Sequence, residues 1–258
     1  MSTPDTNATI MQADQAGSRG SGADASAGRV GRVVIVLAKA PVPGRAKTRL
    51  SPPATPEGAA GLAAAALLDT LDAAAATPGA RVVVALEGSP AHGVRGDEIT
   101  AALAGHTVVP QRGDSLGERI AAAHADVART YPDAVTVQIG MDTPQLDAGL
   151  LDDALRTVES GTAAALGLAL DGGWWAVALA DPGHAGLITD VPTSTDETGR
   201  RTLAALRAGL GHDAVTELPP LSDVDTADDA VRVSELVPHG RFARAVGDLL
   251  PVPGGVSP

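Results

Sequence analysis

Short runs of β-branched and other apolar residues alternate along the chain with longer segments rich in Ala and Leu. The first run, 33–37, is continuous and apolar, which is typical of a strand buried on both faces of a parallel sheet. The alternation predicts further strands at 81–86, 107–109, 134–139, 163–170, 174–179 and near 215, and helices at 57–76, 97–103, 116–130, 147–158, 197–210 and from 226 onward. Strands and helices that alternate in this way indicate βαβ units and therefore an α/β fold.

The composition limits both the fold class and the kinds of partner that this chain can have. Aromatic residues make up 2% of the chain and apolar residues 44%, so the core must be built from Ala, Val and Leu, which favours helices layered on a sheet. The formal net charge of −12 argues against a nucleic-acid or membrane-surface binder, because both need a basic footprint. The chain contains no Cys, which excludes thiolate metal sites and Cys nucleophiles and is compatible with a cytoplasmic protein.

The chain is predicted to form one domain over 30–250, since no linker or internal repeat divides it. Residues 1–29 are rich in Ser, Gly, Ala, Asp and Thr and lack the apolar stretch of a signal peptide, so we expect a disordered tail. Residues 251–258 are expected to form a flexible C-terminal tail. No apolar run reaches the roughly 18 to 20 residues that a membrane helix needs.

The most basic segment directly follows the first predicted strand. It has the sequence KAPVPGRAKTRL and places four cations within 39–49: Lys39, Arg45, Lys47 and Arg49. Prolines and a glycine restrict this loop, and Arg and Lys together suit the oxygens of a polyphosphate. A solvated charged loop is the alternative, but ligands of open α/β sheets bind at the carboxyl ends of strands, which favours a binding role. The GxxxxGK[ST] spacing of a Walker loop is absent.

Carboxylates in two other loops are candidate metal ligands. Asp142 follows the strand predicted at 134–139, and magnesium bound to phosphates uses one or two such groups, although an Asp that begins a turn would look the same. In the later segment SDVDTADD, Thr226 and Asp229 form an N-cap pattern. Capping does not account for Asp223 or Asp225, and one of these two is predicted to be the second metal ligand.

Three further loops have weaker signals. In DGGWW (171–175) the glycines permit either a close approach to a ligand or a plain hairpin, and strand alternation should send one Trp ring into the core and the other outward. The segments QRGDSLGER (111–119) and TSTDET (193–198) each lead into a predicted helix, where they could bind an anion or serve only as helix caps. The six histidines show no metal-ligand spacing.

Taken in order, the motifs KAPVPGRAKTRL, GDSLGER, GMDTPQL, DGGWW, TSTDET and DVDTADD resemble those of the DUF2064 family of glycosyltransferase-A-like (GT-A) proteins. Some members are linked to arsenosugar biosynthesis, and the family looks related to 2-phospholactate guanylyltransferase and to molybdenum-cofactor nucleotidyltransferases. The resemblance covers about 32–236. It implies a Rossmann-like three-layer α/β/α sandwich of the GT-A, or nucleotide-diphospho-sugar transferase, type with a mostly parallel sheet.

The resemblance also implies a site. Mg²⁺ or Mn²⁺ would be bound by Asp142 and Asp225, and catalysis would involve Lys39, Lys47, Arg49 and Asp142. The nucleotide would be contacted by Ala38, Lys39, Arg45, Lys47, Arg49, Gly113, Asp114, Gly140, Asp171, Gly172, Gly173 and Trp174. Such proteins more often have Gly-Gly-Tyr where this chain has Gly-Gly-Trp, so the wall at Trp174 is expected to be reshaped. The glycine-rich LxAGxGxRxG loop of sugar nucleotidyltransferases is absent.

Three functions are compatible with these features. The first is transfer of a nucleoside monophosphate from an NTP to a small phosphorylated or acidic acceptor, with release of pyrophosphate. The second is glycosyl transfer from a nucleotide sugar, and the third is nucleotide binding without turnover. Four cations after the first strand favour a triphosphate. Small-molecule substrates are expected, without nucleic acid or membrane partners, and a homodimer is compatible with the sequence.

Overall fold

The computed structural model describes residues 31–224 and 226–250. The tails predicted at 1–29 and 251–258, and Asp225, lie outside the described residues. Seven strands are present in this part of the chain: β1 (Arg32–Lys39), β2 (Ala80–Glu87), β3 (Thr107–Pro110), β4 (Val135–Gly140), β5 (Ala164–Ala169), β6 (Trp174–Leu179) and β7 (Val215–Leu221). The same part contains seven α-helices: α1 (Pro56–Ala76), α2 (Gly96–Leu103), α3 (Leu116–Thr130), α4 (Ala148–Glu159), α5 (Thr198–Leu210), α6 (Ala227–Leu236) and α7 (Arg241–Leu249). Short 3₁₀ turns lie at Thr48–Leu50, Pro90–His92, Pro182–Ile188 and His212–Ala214.

The strands form one sheet in the order β3-β2-β1-β4-β6-β5-β7. β1 pairs in parallel with both β2 and β4, whereas β6 runs antiparallel to its neighbours β4 and β5. The predicted α/β fold with a mostly parallel sheet is therefore confirmed. The chain moves outward from β1 to β3 and then returns to the other side of β1 as β4, so the loops after β1 and β4 diverge at a switch point where a crevice opens.

Helices cover both faces of the sheet, as the alternation within β1 requires. Val34 and Val36 pack with α1 and α4, while Val33 and Ile35 pack with α3 on the opposite face. α5 covers the same face as α3, over β5 and β7. Most of the buried apolar residues are Ala, Val and Leu, as the composition predicts. The result is the three-layer α/β/α sandwich.

α7 is the helix that the sequence analysis did not predict. Its N-cap, Gly240, has no side chain to accept from the first turn, and the helix is capped from elsewhere. The carboxylate of Asp69, on α1, accepts hydrogen bonds from the backbone N–H of Arg241 (3.1 Å) and of Phe242 (2.8 Å). Phe242 is buried against α1. The cap lies more than 170 residues away along the chain, which explains why no local pattern marks the start of this helix.

By length and hydropathy alone, α1 is long and apolar enough to cross a membrane. The sequence prediction considered only uninterrupted apolar runs, and polar residues such as Asp69 and Asp72 interrupt this helix. In the folded protein 67% of its most apolar window is buried. The helix is packed between the sheet, α4 and α7, as expected for a core helix.

We predict that His124 makes folding sensitive to acid. This side chain on α3 is fully buried, and burial lowers its pKa from 6.5 to about 3. Well above pH 6.5 His124 is neutral in both the folded and the unfolded chain, so it does not change the free energy of unfolding. Below that pH the unfolded chain binds a proton that the folded protein does not, so stability falls as the pH drops, by about 2 kcal/mol at pH 5. Denaturant unfolding at pH 7.5 and 5 should show a smaller pH effect in His124→Leu.

The exposed His92 provides the matched control. His92→Leu should keep the full loss of stability between pH 7.5 and 5. An unchanged pH dependence in His124→Leu would contradict the assignment.

Candidate active site

A cavity of about 650 Å³ opens at the carboxyl ends of β1 and β4. It is lined by Leu37, Ala38, Lys39, Arg49, Glu87, Gln111, Leu116, Arg119, Ile120, Gln138, Gly140, Met141, Asp142, Asp171, Gly173, Trp174, Thr193, Ser194, Thr195, Asp196, Thr198 and Asp223. All six loops singled out in the sequence contribute to this lining, because the sheet brings them to one edge. The basic loop after β1 contributes Lys39 and Arg49, at its two ends.

Three cations line the cavity: Lys39, Arg49 and Arg119. Lys39 and Arg119 flank Glu87 at the ends of β1 and β2, and we call this part of the lining the cationic half. Lys39 Nζ is 3.5 Å and Arg119 is 2.6 Å from the Glu87 carboxylate. Burial acts to raise the pKa of Glu87, but the hydrogen bond from Arg119 and the charge of Lys39 outweigh it and the pKa is lowered. Glu87 therefore stays ionised and holds both cations at the cavity wall.

Gln111 braces the same half. Its amide nitrogen donates to the carbonyls of Ala38 (2.7 Å) and Ala85 (3.0 Å), and its amide oxygen accepts from Arg119 (3.3 Å). The ends of β1, β2 and β3 are thereby tied together. Sequence reasoning did not identify Glu87. Its position as the last residue of β2, level with Lys39 at the end of β1, is the signal that could have found it.

The other two cations of the basic loop point elsewhere. Lys47 has φ 49° and directs its ammonium group to the Asp142 carboxylate, 3.1 Å away, and to the backbone carbonyl of Val224. Its side chain is 10% exposed and lies outside the cavity lining. Arg45 is exposed and also lies outside the lining. The structure thus divides the four predicted phosphate ligands into two that face the cavity, one that supports Asp142 and one at the surface.

Three carboxylates of the lining, those of Asp142, Asp171 and Asp223, lie close enough to interact electrostatically; we call them the acidic centre. The segment after β7 returns to β4, where Thr143 Oγ1 donates to Asp223 Oδ1 (3.0 Å) and the Val224 N–H donates to the Asp142 carbonyl (3.4 Å). Burial, and then the charges of Asp171 and Asp142, raise the pKa of Asp223 to about 7. A cation bound here would relieve that repulsion.

No group of three or more His, Asp or Glu side chains within 31–224 and 226–250 has the arrangement of a metal site. The predicted site needs only two protein carboxylates, because Mg²⁺ on a nucleotide takes most of its ligands from phosphates and water. Asp142 and Asp223 supply hard oxygen donors beside the cationic half, so the residues fit such an ion.

The DGGWW turn and the TSTDET loop form the far wall of the cavity. Their backbones touch: the Gly199 N–H donates to the Gly172 carbonyl (2.8 Å), and a Cβ on Gly172 would lie 2.1 Å from the Asp196 carbonyl oxygen. Gly172 itself does not line the cavity; it permits this close approach, with φ 91°. Gly173 and Asp171 do line it.

The two tryptophans have different environments, as strand alternation predicts. Trp175 is 2% exposed, covers Gly167 and donates from its indole N–H to the Pro219 carbonyl (2.9 Å), so it is a core residue. Trp174 lines the cavity.

We predict that Gly199→Ala destabilises the protein. A Cβ there would lie 2.2 Å from the Gly173 carbonyl oxygen and 2.9 Å from the Leu168 side chain, so the two loops must separate. Overpacking of this kind costs about 1–3 kcal/mol, which a thermal or denaturant melt resolves. Gly186→Ala is the control, since nothing lies within 4 Å of its Cβ position. Equal melting temperatures for the two variants would show that the loops are not held together in this way.

The QRGDSLGER segment contributes Gln111, Leu116 and Arg119 to the cavity, but Gly113 and Asp114 lie outside the lining. Ser115 and Glu118 form a capping box at the start of α3, and the Asp114 N–H donates to Glu118. Helix capping thus accounts for this part of the motif.

Ala38 and Gly140 line the cavity beside Lys39 and Asp142. Thr226 and Asp229 also form a capping box, at the start of α6.

Comparison with solved structures places this fold among those of nucleotide-diphospho-sugar transferases and nucleotidyltransferases. A "putative nucleotide-diphospho-sugar transferase" from Desulfovibrio desulfuricans G20 is 25% identical, with a TM-score of 0.71 over 83% of this chain and 92% of that one. A cytidylyltransferase from Leptospira borgpetersenii serovar Hardjo-bovis (12% identity, TM-score 0.50, 83% and 92%) shares the fold. So does a 4-diphosphocytidyl-2C-methyl-D-erythritol synthase (13%, 0.50, 80% and 98%).

A family model described as "Uncharacterized protein conserved in bacteria (DUF2064)" matches residues 70–195. This match confirms the resemblance predicted from the motifs. It includes GDSLGER, GMDTPQL and DGGWW, whereas the basic loop after β1 and the DVDTADD segment lie outside the matched residues. No curated protein sequence matches the chain.

Proposed function

We propose that this protein is a magnesium-dependent nucleotidyltransferase that joins the nucleoside monophosphate of an NTP to a small acceptor and releases pyrophosphate. The observation that carries the proposal is the division of one cavity into a cationic half and an adjoining acidic centre. A nucleoside triphosphate needs cations along its phosphates and oxygen ligands for its metal ion, and the cavity offers both side by side. The transferase class is supported by the structural similarity to the Desulfovibrio protein.

Each residue has a distinct role in this proposal. Lys39 and Arg49 neutralise the outer phosphates, with Arg119 and Glu87 fixing the wall beside them. Asp142 and Asp223 hold Mg²⁺ (or Mn²⁺), which when bound would neutralise charge that develops on the phosphate oxygens. Lys47 is a positioning residue that orients Asp142. Asp225, outside the described residues, remains an alternative to Asp223 as the second ligand.

The reaction needs no protein nucleophile. An acceptor oxygen attacks the α-phosphorus of the NTP, a new P–O bond forms, and the bond to the departing pyrophosphate breaks. Catalysis of such a step consists of positioning and charge stabilisation, which cations and hydrogen-bond donors fixed in the cavity wall provide. The absence of Cys from the chain is compatible with this chemistry.

Glycosyl transfer from a nucleotide sugar is the second candidate, and two observations favour it. The first is the name of the Desulfovibrio protein. The second is that Lys47 and Arg45 lie outside the cavity lining, so only two cations of the basic loop, Lys39 and Arg49, face the cavity. Two cations suit a diphosphate as well as a triphosphate, so the argument from four cations for a triphosphate no longer holds. In this case the same residues would bind the diphosphate of the donor.

One experiment separates the two candidates. The protein is incubated with each of the four NTPs, Mg²⁺ and a panel of phosphorylated sugars and acids, and pyrophosphate release is followed; release of nucleoside diphosphate from nucleotide sugars is measured in parallel. Acceptor-dependent pyrophosphate supports nucleotidyl transfer, and nucleoside diphosphate release alone supports glycosyl transfer. No turnover in either assay, with nucleotide bound, would favour a binding protein. The expected cytoplasmic location, the lack of nucleic acid or membrane partners and the homodimer remain predictions.

A further inference from the structure

The segment after β7 that carries Asp223 has no regular secondary structure, and contacts with the loop after β4 fix its backbone. The Gln145 side-chain amide donates a hydrogen bond to the Ser222 carbonyl, and the Val224 N–H donates to the Asp142 carbonyl (3.4 Å). The Val224 side chain is buried among residues of α1, α6 and α7. The backbone is therefore held on both sides of Asp223, which fixes where this residue lies but not where its carboxylate points.

Thr143 fixes the carboxylate itself. Its Oγ1 donates to Asp223 Oδ1 (3.0 Å), and the Thr143 side chain is buried, so water has little access to this hydrogen bond. Among the residues that the structure describes, none donates a hydrogen bond to the other oxygen, Oδ2. Asp223 lines the cavity, so a carboxylate held at Oδ1 keeps Oδ2 for a cation bound there.

Thr143 belongs to the GMDTPQL motif, of which the proposed site uses only the Asp. Thr143 lies outside the cavity lining, so it does not act by contact with a substrate. Carboxylates that bind metal ions are themselves held by hydrogen bonds from outer residues, and loss of such a bond weakens metal binding. We propose that Thr143 is a positioning residue that orients the Asp223 carboxylate and thereby sets the affinity of the acidic centre for a divalent cation.

The inference rests on the magnesium site of the proposed function and deepens it in one respect. A hydroxyl that orients Asp223 has a role only if Asp223 is a metal ligand. Thr143 therefore favours Asp223 over Asp225 as the partner of Asp142.

Thr143→Val tests the inference, because valine keeps the branched shape of threonine and removes only the hydroxyl. Mn²⁺ is titrated into wild type and variant without nucleotide, and the free ion is measured by electron paramagnetic resonance. Thr143→Val should bind Mn²⁺ about 10- to 100-fold more weakly than wild type. Thr143→Ser keeps the donor and should recover most of the affinity.

A double-mutant cycle separates orientation of the carboxylate from a general loosening of the loop. If Thr143 acts through Asp223, adding Thr143→Val to Asp223→Asn should weaken the remaining Mn²⁺ binding no further. A further loss of the same size in the Asp223→Asn background would show that the hydroxyl acts on another group and would overturn the inference. So would equal Mn²⁺ affinities of wild type and Thr143→Val, or a Thr143→Ser variant that recovers nothing.

Thr202→Val is the matched control. Thr202 is also buried, and its Oγ1 donates to the Thr198 carbonyl (2.8 Å), but it lies on α5 outside the cavity lining. The control should also lose some thermal stability, because it too loses a buried hydrogen bond, but it should keep the Mn²⁺ affinity of wild type. An equal loss of Mn²⁺ binding in both valine variants would assign the effect to lower stability and contradict the proposed role.

Mn²⁺ binding needs no turnover, so failure of this inference is distinct from failure of the proposed function. If Thr143→Val weakens Mn²⁺ binding but wild type releases neither pyrophosphate nor nucleoside diphosphate, the proposed function fails and the role of Thr143 stands. If wild type shows metal-dependent turnover and Thr143→Val binds Mn²⁺ as tightly as wild type, the role of Thr143 fails alone. In an active protein, Thr143→Val should raise the Mg²⁺ concentration needed for half of the maximal rate and change the rate at saturating Mg²⁺ little.

Discussion

Asp142→Asn should lower metal-dependent turnover about a thousandfold while the protein stays folded. The substitution keeps the shape of the side chain but removes the charge that would hold the cation and that Lys47 pairs with at 3.1 Å. A bound metal ion contributes several kcal/mol to such a reaction, and about 4 kcal/mol corresponds to a thousandfold. Steady-state rates over a Mg²⁺ titration, with circular dichroism to verify folding, provide the measurement. Asp223→Asn should show a loss of similar size if it is the second ligand.

Asp153→Asn is the control for this prediction, because Asp153 is an exposed carboxylate on α4 away from the cavity. Its rate should equal that of wild type. Wild-type rates in both Asp142→Asn and Asp223→Asn would eliminate the two-carboxylate site. If only Asp223→Asn is silent, Asp225 becomes the second ligand.

Arg49→Ala should weaken binding of nucleoside triphosphate by roughly 10- to 100-fold. Arg49 lines the cavity, and a charge-assisted contact to phosphate contributes about 1.5–3 kcal/mol. The loss should be smaller for the nucleoside monophosphate, which lacks the outer phosphates. It should be larger at low salt, because salt screens the attraction between a cation and phosphate, and the rest of this chain, with a net charge of −12, repels an anion. Calorimetric titration with NTP, NDP and NMP in the presence of Mg²⁺ measures each difference.

Arg45 supplies the control from the same loop. It is exposed and lies outside the cavity lining, so Arg45→Ala should change the affinity for NTP less than twofold. Equal losses for all three nucleotides in Arg49→Ala would show that the loop does not contact the outer phosphates. A loss for NTP and NDP of the same size would favour the nucleotide sugar as donor.

Most of the fold could be predicted from local sequence, since β-branched runs and Ala/Leu periodicity are set by which faces are buried. α3 begins and ends at the predicted residues because Ser115 and Glu118 form a local capping box. α7 could not be predicted, since its cap, Asp69, belongs to another helix. The extent of β7 was also missed: it contains Pro219 and Pro220, which a sheet tolerates at an edge strand such as this one.

The candidate site was predictable as a set of loops but not as a set of side-chain directions. The carboxyl ends of parallel strands lie at one edge of a sheet, so the loops that carry Lys39 and Asp142 were expected at the same edge. The direction of Lys47 depends on Asp142 and on the Val224 carbonyl, which is 177 residues away, and no local pattern specifies this contact.

The central claim is that one cavity binds the phosphates at its cationic half and their metal ion at its acidic centre. Titration of nucleoside triphosphate into wild type and Asp142→Asn, each with Mg²⁺ and with EDTA, tests this coupling directly. Wild type should bind at least one NTP more than tenfold tighter with Mg²⁺, and Asp142→Asn should lose that gain while still binding the nucleotide. The same gain in both proteins, or no binding of any NTP by wild type, would contradict the claim.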